Sequence, residues 1–184
     1  TVATFAQDWL DSIRSSIKPK TFEGYESNVR IHTIPNLGAV RLSKLTPAHL
    51  SRLYTDMSNS GLSPRTVRAA HACIHNMLEK TIRLGVVVRN VAKLVDLPRQ
   101  VRRELPMLTP AEARAFMDVT EGHRLEALFI LAITCGARQG ELLGLSWNDV
   151  DLENREIEIR LSLQKVDGEL RLMEPKTKSS VRRI

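Results

Sequence analysis

Apolar side chains recur every three or four positions through residues 1–97, which is the spacing of one face of an α-helix. The pattern predicts four main helices and a short terminal one, at residues 1–13, 18–34, 45–57, 62–85 and 90–95. Pro35 is expected to stop the second helix, whereas Pro47 and Pro64 follow a threonine and a serine and are expected to open the next two. Residues 1–97 are therefore predicted to form one helical domain.

The pattern changes after this domain. Residues 98–106 combine two prolines and three arginines with few apolar side chains, so they are expected to be an extended, exposed linker. A second domain, residues 107–184, is predicted to begin with a helix capped by Thr109. Its segment 124–135 is apolar nearly all round, and we expect it to be a buried central helix that ends at Gly136.

From residue 155 the hydrophobic period changes to two, which is typical of a half-buried β-strand. One strand is predicted at 155–164, a returning strand at 169–173 after an Asp-Gly turn, and the opening of a third at 181–184. The predicted fold class is mainly α with a small β-hairpin or sheet. Because the sheet is cut within its third strand, the chain is expected to be a fragment that holds the N-terminal part of a larger α+β domain.

The charge of the chain is concentrated in its first half. Residues 1–106 carry 16 lysines and arginines against 8 acidic residues, and residues 107–184 carry 11 against 13. A basic first half joined to a nearly neutral second half favours contact between the first half and a polyanion, with nucleic acid as the leading candidate.

The two cysteines, Cys73 and Cys135, each lie in an apolar helical pattern and have no metal-ligand spacing around them. The sequence therefore predicts packed, reduced thiols and no metal or other cofactor. It also contains no apolar run of the roughly 18 residues that a membrane span needs, and no signal peptide. A cytoplasmic protein without a membrane partner is the resulting expectation.

The sequence TCGARQGELLGLSW, residues 134–147, places a cation at a helix start. Gly136 suits a left-handed cap, and Arg138 then falls in the first turn of the next helix, where it opposes the helix dipole at a cost of about 0.3–1 kcal/mol. One interpretation is a structural ion pair with Glu141, one turn later. The other is a phosphate site, because a helix N-terminus offers free N–H groups and a guanidinium is a planar bidentate donor.

The longer stretch TCGARQGELLGLSWNDVDLENREIEI resembles the first active-site segment of the tyrosine recombinases, specifically the phage-type integrases. The positions that match this segment are Thr134, Arg138, Gly140, Glu141, Leu142, Leu145, Trp147 and Asp151. Residues 18–57 and 61–95 resemble the helical, SAM-like core-binding domain of these integrases, and residues 108–117 resemble the start of their catalytic domain. The resemblance covers nearly the whole chain and favours the phosphate site.

The resemblance implies site-specific DNA recombination through a covalent 3′-phosphotyrosyl intermediate. Arg138 is then expected to hold a non-bridging phosphate oxygen, and Glu141 to orient Arg138. A lysine after the first strand pair is expected to protonate the 5′-oxygen leaving group. Lys176 matches that position best, and Lys178 is the alternative. The implied partners are double-stranded DNA at recombination core sites and, for a full-length protein, further copies in a tetramer.

Two helix N-termini and the linker carry the residues that the resemblance places against DNA. Their side chains are basic or hydroxylated, and one tyrosine continues the same surface. The set is Lys18, Lys20, Thr21, Tyr25, Arg65, Thr66, Arg68, Arg99, Arg102 and Arg103. The three linker arginines are expected to follow the DNA backbone between the domains.

The remaining active-site elements of the family are a His-x-x-Arg segment, a later His or Trp, and the nucleophilic tyrosine, and none of them is matched. The two tyrosines, Tyr25 and Tyr54, both lie in the predicted helical domain. The chain alone is therefore expected not to cleave DNA. Two alternatives stay open: a non-catalytic DNA-binding regulator that occupies recombination sites, and a helical protein-interaction module with an incidental basic face.

Overall fold

The computed structural model describes residues 1–100, 106–174 and 181–184 of the chain. The chain divides into two compact units, residues 1–103 and residues 104–184. The described residues are mostly helical, with small antiparallel sheets in the second unit, so the predicted fold class is confirmed. No helix of the described chain has both the length and the hydropathy to cross a membrane.

The first unit is built from helices around one apolar core. Its helices are α1 (Val2–Ile13), α2 (Pro19–Asn28), α3 (Ile34–Leu37), α4 (Pro47–Asn59) and α5 (Pro64–Arg83), with a π-helical turn at Val29–Thr33 and 3₁₀ turns at Leu42–Lys44 and Val91–Leu94. The long helix α5 lies in the core, where Val67, Ile74 and Met77 are completely buried, and α1 adds Trp9 and Leu10. Apolar burial is thus the main stabilising contribution in this unit.

The ends of α5 follow local sequence signals. The Ser63 hydroxyl accepts a hydrogen bond from the backbone N–H of Thr66 at 3.2 Å, and Pro64 occupies the first helical position. Gly85, just past the end of the helix, has a φ of +69°. These signals act within a few residues, which is why the sequence alone predicted this helix closely.

The prediction that Pro35 stops the second helix is wrong. The backbone continues from α2 through the π-helical turn Val29–Thr33 into α3, which contains Pro35 near its start. A proline lacks the N–H of a regular helical hydrogen bond, and its ring collides with the carbonyl four residues earlier. The wider π turn interrupts that regular pattern just before the proline, with Ile34 N–H bonded to the Val29 carbonyl.

Gly38 is required for a close approach rather than for a left-handed conformation. A Cβ atom there would lie 2.5 Å from the carbonyl oxygen of Ile34. The Gly38 carbonyl in turn accepts a hydrogen bond from Ala3 N–H at 3.1 Å. The end of α3 is thereby fastened to the start of α1.

The second unit begins with three helices: α6 (Pro110–Thr120), α7 (Glu126–Cys135) and α8 (Gln139–Leu143). The predicted cap of α6 is present: Thr109 Oγ1 accepts from Glu112 N–H, and the Glu112 carboxylate accepts from Thr109 N–H at 2.7 Å. The prediction that the apolar segment 124–135 is a buried central helix is wrong for the described chain, in which no residue of α7 is fully buried. This helix packs on α6 and α8. Its other side lies open beside Leu142, Trp147 and Ile157, because the helix is apolar on all sides but contacted on few.

The predicted strand 155–164 is in fact two strands in different sheets. The strands are β1 (Val150–Asp151), β2 (Glu156–Ile159), β3 (Ser162–Val166), β4 (Glu169–Met173) and β5 (Arg182–Arg183). Strand β2 lies between β1 and β5, whereas β3 and β4 form the predicted hairpin. Asp167 and Gly168 both have positive φ, at 52° and 83°, as a two-residue type I′ turn requires. Alternation continues across the break at 160–161, so hydrophobic period alone did not reveal it.

Candidate functional site

Helix α8 begins at Gln139, with Arg138 as the residue that caps it. Gly136 closes α7 in the left-handed conformation, at φ 57° and ψ 24°, as the sequence predicted. Arg138 follows in an extended conformation, at φ −69° and ψ 148°, so it precedes the first helical turn and does not lie within it. The correction is one residue, and it places the Arg138 N–H, as well as its guanidinium, at the open end of α8.

The Glu141 carboxylate is the centre of the site. Its Oε2 accepts from the Arg138 backbone N–H at 3.0 Å and its Oε1 from Arg138 Nη1 at 2.7 Å. Arg182, on β5, donates from Nη2 to Oε2 at 2.9 Å. The Glu141 side chain is only 4% exposed, whereas that of Arg138 is 74% exposed. A buried carboxylate therefore holds an arginine whose guanidinium faces solvent.

Two arginines stabilise the charged form of Glu141. The pKa of its carboxyl is lowered from 4.5 to about 2, chiefly by the hydrogen bond from Arg182. The backbone and side-chain hydrogen bonds from Arg138 act in the same direction, and burial acts against them. Glu141 is consequently an anion throughout the physiological pH range, with one exposed cation attached.

Two glycines of the motif let α8 lie directly on strand β3. A Cβ atom at Gly140 would be 2.6 Å from Ser162 Oγ and 2.9 Å from the Leu163 carbonyl oxygen. At Gly144 it would be 3.0 Å from the Leu163 backbone nitrogen. Only a helix without side chains at these positions approaches so closely, and this approach fixes the helix that carries Glu141.

The end of the motif organises the turn into the sheet. Ser146 N–H and its hydroxyl both donate to Asp149 Oδ2, at 3.1 and 2.7 Å, and Arg160 Nε lies 3.2 Å from Asp149 Oδ1. Asp151 accepts from the backbone and side chain of Asn154 at 2.9 and 2.7 Å, which closes the turn between β1 and β2. These contacts are structural and support the site indirectly.

The residues predicted to face DNA on α2 lie at its start and along one side. Lys18 caps the helix, Lys20 forms an ion pair with Glu23 at 2.5 Å, and Thr21 is exposed. Tyr25 is half-buried, and its hydroxyl accepts from Asn76 Nδ2 of α5 at 2.9 Å. Tyr25 therefore ties α2 to α5.

The predicted residues on α5 lie at its first turns. Arg65 is exposed, and Thr66 takes part in the helix cap with Ser63. Arg68 Nη1 donates to the Pro98 carbonyl at 3.2 Å, so the beginning of the linker lies against this end of α5. Exposed Arg99 follows directly. The structure thus brings the α5 arginines and the first linker arginine into one region, which the sequence did not predict.

Four predicted residues lie outside the described part of the chain: Arg102, Arg103, Lys176 and Lys178. Within the described residues, no group of three or more His, Cys, Asp or Glu side chains is arranged to hold a metal ion. Both tyrosines have partners in the first unit. Tyr25 binds Asn76, as described above, and the hydroxyl of the buried Tyr54 lies 3.2 Å from His71 Nδ1.

Two family models match the chain. The model described as the phage integrase N-terminal SAM-like domain matches residues 1–58, and the model described as the phage integrase family matches residues 106–183. The chain belongs to the phage integrase family of tyrosine recombinases. The resemblance carried by the motif around Arg138 is therefore confirmed.

Relatives and solved structures agree with this assignment. The integrase-family chain is 29% identical, over its whole length, to a tyrosine recombinase XerC-like protein of Caldanaerobacter subterraneus subsp. tengcongensis, of which it covers 51%. The Tn1549 transposon integrase in complex with transposon right end DNA matches 100% of this chain with 60% of its own, at 25% identity and a TM-score of 0.84. A lambda integrase tetramer bound to a Holliday junction shares the fold, at 18% identity and a TM-score of 0.72, over 93% of this chain and 49% of that one. The chain spans about a third to a half of the length of the curated relatives it matches.

Sequence reasoning missed Arg182 altogether. This arginine is 41 positions from Glu141 in the chain, and it stands beside a second arginine, Arg183, of the same chemistry. Only the pairing of β5 with β2 turns Arg182 toward α8 and Arg183 toward Glu156. The alternation of the short third strand was the sole available signal.

Proposed function

We propose that this chain supplies the DNA-binding and phosphate-binding parts of a site-specific recombinase. The observation that carries the proposal is the exposed Arg138 guanidinium, held at the start of α8 by the buried Glu141 carboxylate. A guanidinium fixed in this way needs little further ordering when it binds a phosphate, and preorganised donors of this kind stabilise charge that develops during reaction.

The reaction is strand exchange through a 3′-phosphotyrosyl intermediate. A tyrosine attacks the scissile phosphate, the bond to the 5′-oxygen breaks, and the phosphotyrosyl ester keeps the energy needed for rejoining. Arg138 binds a non-bridging oxygen of the phosphate as negative charge accumulates there. Lys176, or alternatively Lys178, gives the proton to the 5′-oxygen. Glu141 acts on Arg138 and not on the substrate.

The first unit holds the duplex. Lys18, Lys20 and Thr21 at the start of α2 bind one stretch of DNA backbone, with Tyr25 beside them. Arg65, Thr66 and Arg68 at the start of α5 bind another, and the linker arginines, Arg99, Arg102 and Arg103, extend it. These contacts are to phosphates, so they determine position and affinity rather than target sequence.

The chain on its own is proposed to bind DNA without cleaving it. Tyr54 is buried against His71, and Tyr25 binds Asn76, so both tyrosines already serve the packing of the first unit. The same observation favours a second candidate, a DNA-binding regulator that occupies recombination sites. For a longer protein containing this chain, we propose a tetramer on DNA in the cytoplasm of a bacterial or phage-infected cell.

DNA binding by the 184-residue chain is the first test. We expect its affinity for duplex DNA to fall as salt rises, and Arg65→Ala to weaken binding and reduce the salt slope by about 0.9. Arg52→Ala is the matched control, because Arg52 is an exposed α4 arginine outside the proposed surface. Failure to bind duplex DNA at low salt would favour a protein-interaction module.

Cleavage is tested in the longer recombinase. Arg138→Ala should reduce strand cleavage by about 10²–10³-fold and leave most of the DNA affinity intact, because one charge-stabilising donor is removed. Arg183→Ala, which removes an arginine paired with Glu156 at the edge of the sheet, should retain cleavage. Normal cleavage by Arg138→Ala would contradict the assignment, and a longer natural protein without a nucleophilic tyrosine would favour the regulator.

A further inference from the structure

Arg182 occupies a place that the proposed mechanism does not yet use. It lies on β5, opposite the buried Ile159 of strand β2, and its guanidinium reaches Glu141 on α8. Backbone hydrogen bonds between Ile157 and Ile184, at 2.9 and 3.0 Å, fix the same strand pair. Arg182 therefore extends from a strand whose pairing with β2 is fixed at the next residues along the chain.

We propose that Arg182 is a positioning residue that fixes the Glu141 carboxylate and, through it, aims the Arg138 guanidinium at the phosphate. The inference rests on the proposed phosphate-binding role of Arg138. Arg182 is assigned no contact with the reacting atoms.

The division of hydrogen bonds between the two carboxylate oxygens supports this role. Oε2 receives the Arg138 backbone N–H and Arg182 Nη2, so it is held from two sides, and Oε1 is left facing Arg138 Nη1. Without Arg182, one of the two donors that set the rotation of the carboxylate is lost. The Arg138 side chain would then lose its fixed direction while keeping its charge.

Exposure separates the tasks of the two arginines. The Arg182 side chain is 30% exposed and that of Arg138 is 74% exposed, although both bind the same carboxylate. Two guanidinium groups around one carboxylate also leave a net positive charge, so Glu141 does not cancel the attraction of Arg138 for a phosphate. The less exposed Arg182 is therefore placed to hold Glu141, and the more exposed Arg138 is placed to bind a phosphate.

The test uses the 184-residue chain with Arg182→Gln, Arg138→Gln and the double variant, with duplex DNA as the probe at fixed salt. We expect about a tenfold loss of affinity for Arg138→Gln and about a threefold loss for Arg182→Gln, since a charge-assisted hydrogen bond contributes at this level. The double variant should lose less affinity than the two single losses combined, because Arg182 acts chiefly through Arg138 and otherwise contributes only its charge. Arg183→Gln, its neighbour on β5, should bind normally.

A second readout follows the carboxylate directly. Carbon-13 NMR of the Glu141 carboxyl should show its pKa rising toward 4.5 in Arg182→Gln, with no change in Arg183→Gln. Arg182→Lys, which keeps the charge with a single donor group, should restore part of both the low pKa and the DNA affinity. These changes should appear while the second unit keeps its melting temperature within a few degrees, which separates positioning from general destabilisation. If Arg182→Gln unfolds the second unit, the Glu141 pKa and the DNA affinity of Arg182→Lys are the readouts that test the positioning role.

The outcomes distinguish the inference from the proposed function. Losses that add in the double variant would show that Arg182 contacts DNA itself and would overturn the inference, as would normal affinity or an unchanged Glu141 pKa in Arg182→Gln. Normal affinity in Arg138→Gln would instead overturn the phosphate-binding role of Arg138, and the positioning role with it.

Discussion

Among the described residues, the unit 1–103 buries nineteen apolar residues in one cluster, whereas the unit 104–184 buries four, Leu142, Ile157, Ile159 and Val166. The second unit instead buries the Glu141 carboxylate and surrounds it with directed hydrogen bonds. Apolar burial is non-directional and stabilises a whole domain, but a hydrogen-bonded carboxylate fixes the direction of one neighbouring group. The apolar core of the first unit therefore stabilises its helices as a whole, whereas the buried carboxylate of the second unit orients one side chain, that of Arg138.

The largest effect is expected in the apolar core. Ile74→Ala should lower the free energy of unfolding of the first unit by about 2–5 kcal/mol, because Ile74 is completely buried and the change leaves a cavity. Urea unfolding followed by Trp9 fluorescence in a Trp147→Phe background measures it, since the chain has two tryptophans, one in each unit. Ile31→Ala, at an exposed position, should change stability by less than about 0.5 kcal/mol. Equal losses at the two positions would contradict the core assignment.

Acid should weaken the two units in different pH windows. In the first unit, burial and then His75 and Arg68 lower the pKa of His71 below 6.5. A lowered histidine pKa gives stability that is complete above pH 6.5 and declines as the pH falls below it. In the second unit, the Glu141 pKa of about 2 gives stability that is complete above about pH 4.5 and is lost toward pH 2, by roughly 2–3 kcal/mol.

Unfolding against pH is measured by Trp9 fluorescence for the first unit and by backbone amide NMR signals for the second. His71→Gln should flatten only the window that begins near pH 6.5, and Glu141→Gln only the one that begins near pH 4.5. The variants are needed because Glu79, Asp149 and Asp151 also have lowered pKa values. Coincident acid transitions that neither variant alters would show that the two networks do not control the two units.

The second unit also depends on close packing of the α8 backbone against strand β3. Gly140→Ala should destabilise the second unit by about 1–3 kcal/mol, because the new methyl group would meet Ser162 Oγ at 2.6 Å and the Leu163 carbonyl oxygen at 2.9 Å. Moving α8 away from β3 to relieve this clash would also shift Glu141. The melting temperature of the second unit and the Glu141 carboxyl pKa should therefore change together, and a change in neither would contradict the proposed packing.

The features that the sequence predicted are those determined by neighbours within four residues. The caps at Ser63 and Thr109, the left-handed Gly136 and the Arg138–Glu141 ion pair all have this range. Local chemistry is sufficient for them, because both partners lie within one helical turn or one loop.

The features that the sequence did not predict depend on distant partners or on compensation. Pro35 breaks a regular helix, but the π turn before it accommodates the ring. The split between β2 and β3 follows from pairing with β5 in one sheet and β4 in another, which alternation does not encode. Arg182 reaches Glu141 across 41 positions, so only the folded sheet identifies it.

The smallest expected effect has the opposite sign and belongs to the helical unit. Gly24 lies inside α2, where a Cβ atom would meet nothing within 4 Å, and alanine in a helix interior is favoured over glycine by about 0.5–1 kcal/mol. Gly24→Ala should therefore stabilise the first unit by this amount in the Trp9 urea assay, whereas Gly140→Ala destabilises the second. The same chemical change then separates a glycine that only loosens a helix from one that a neighbouring strand requires. If Gly24→Ala destabilised the first unit, the distinction between open helical positions there and tight ones in the second unit would be wrong.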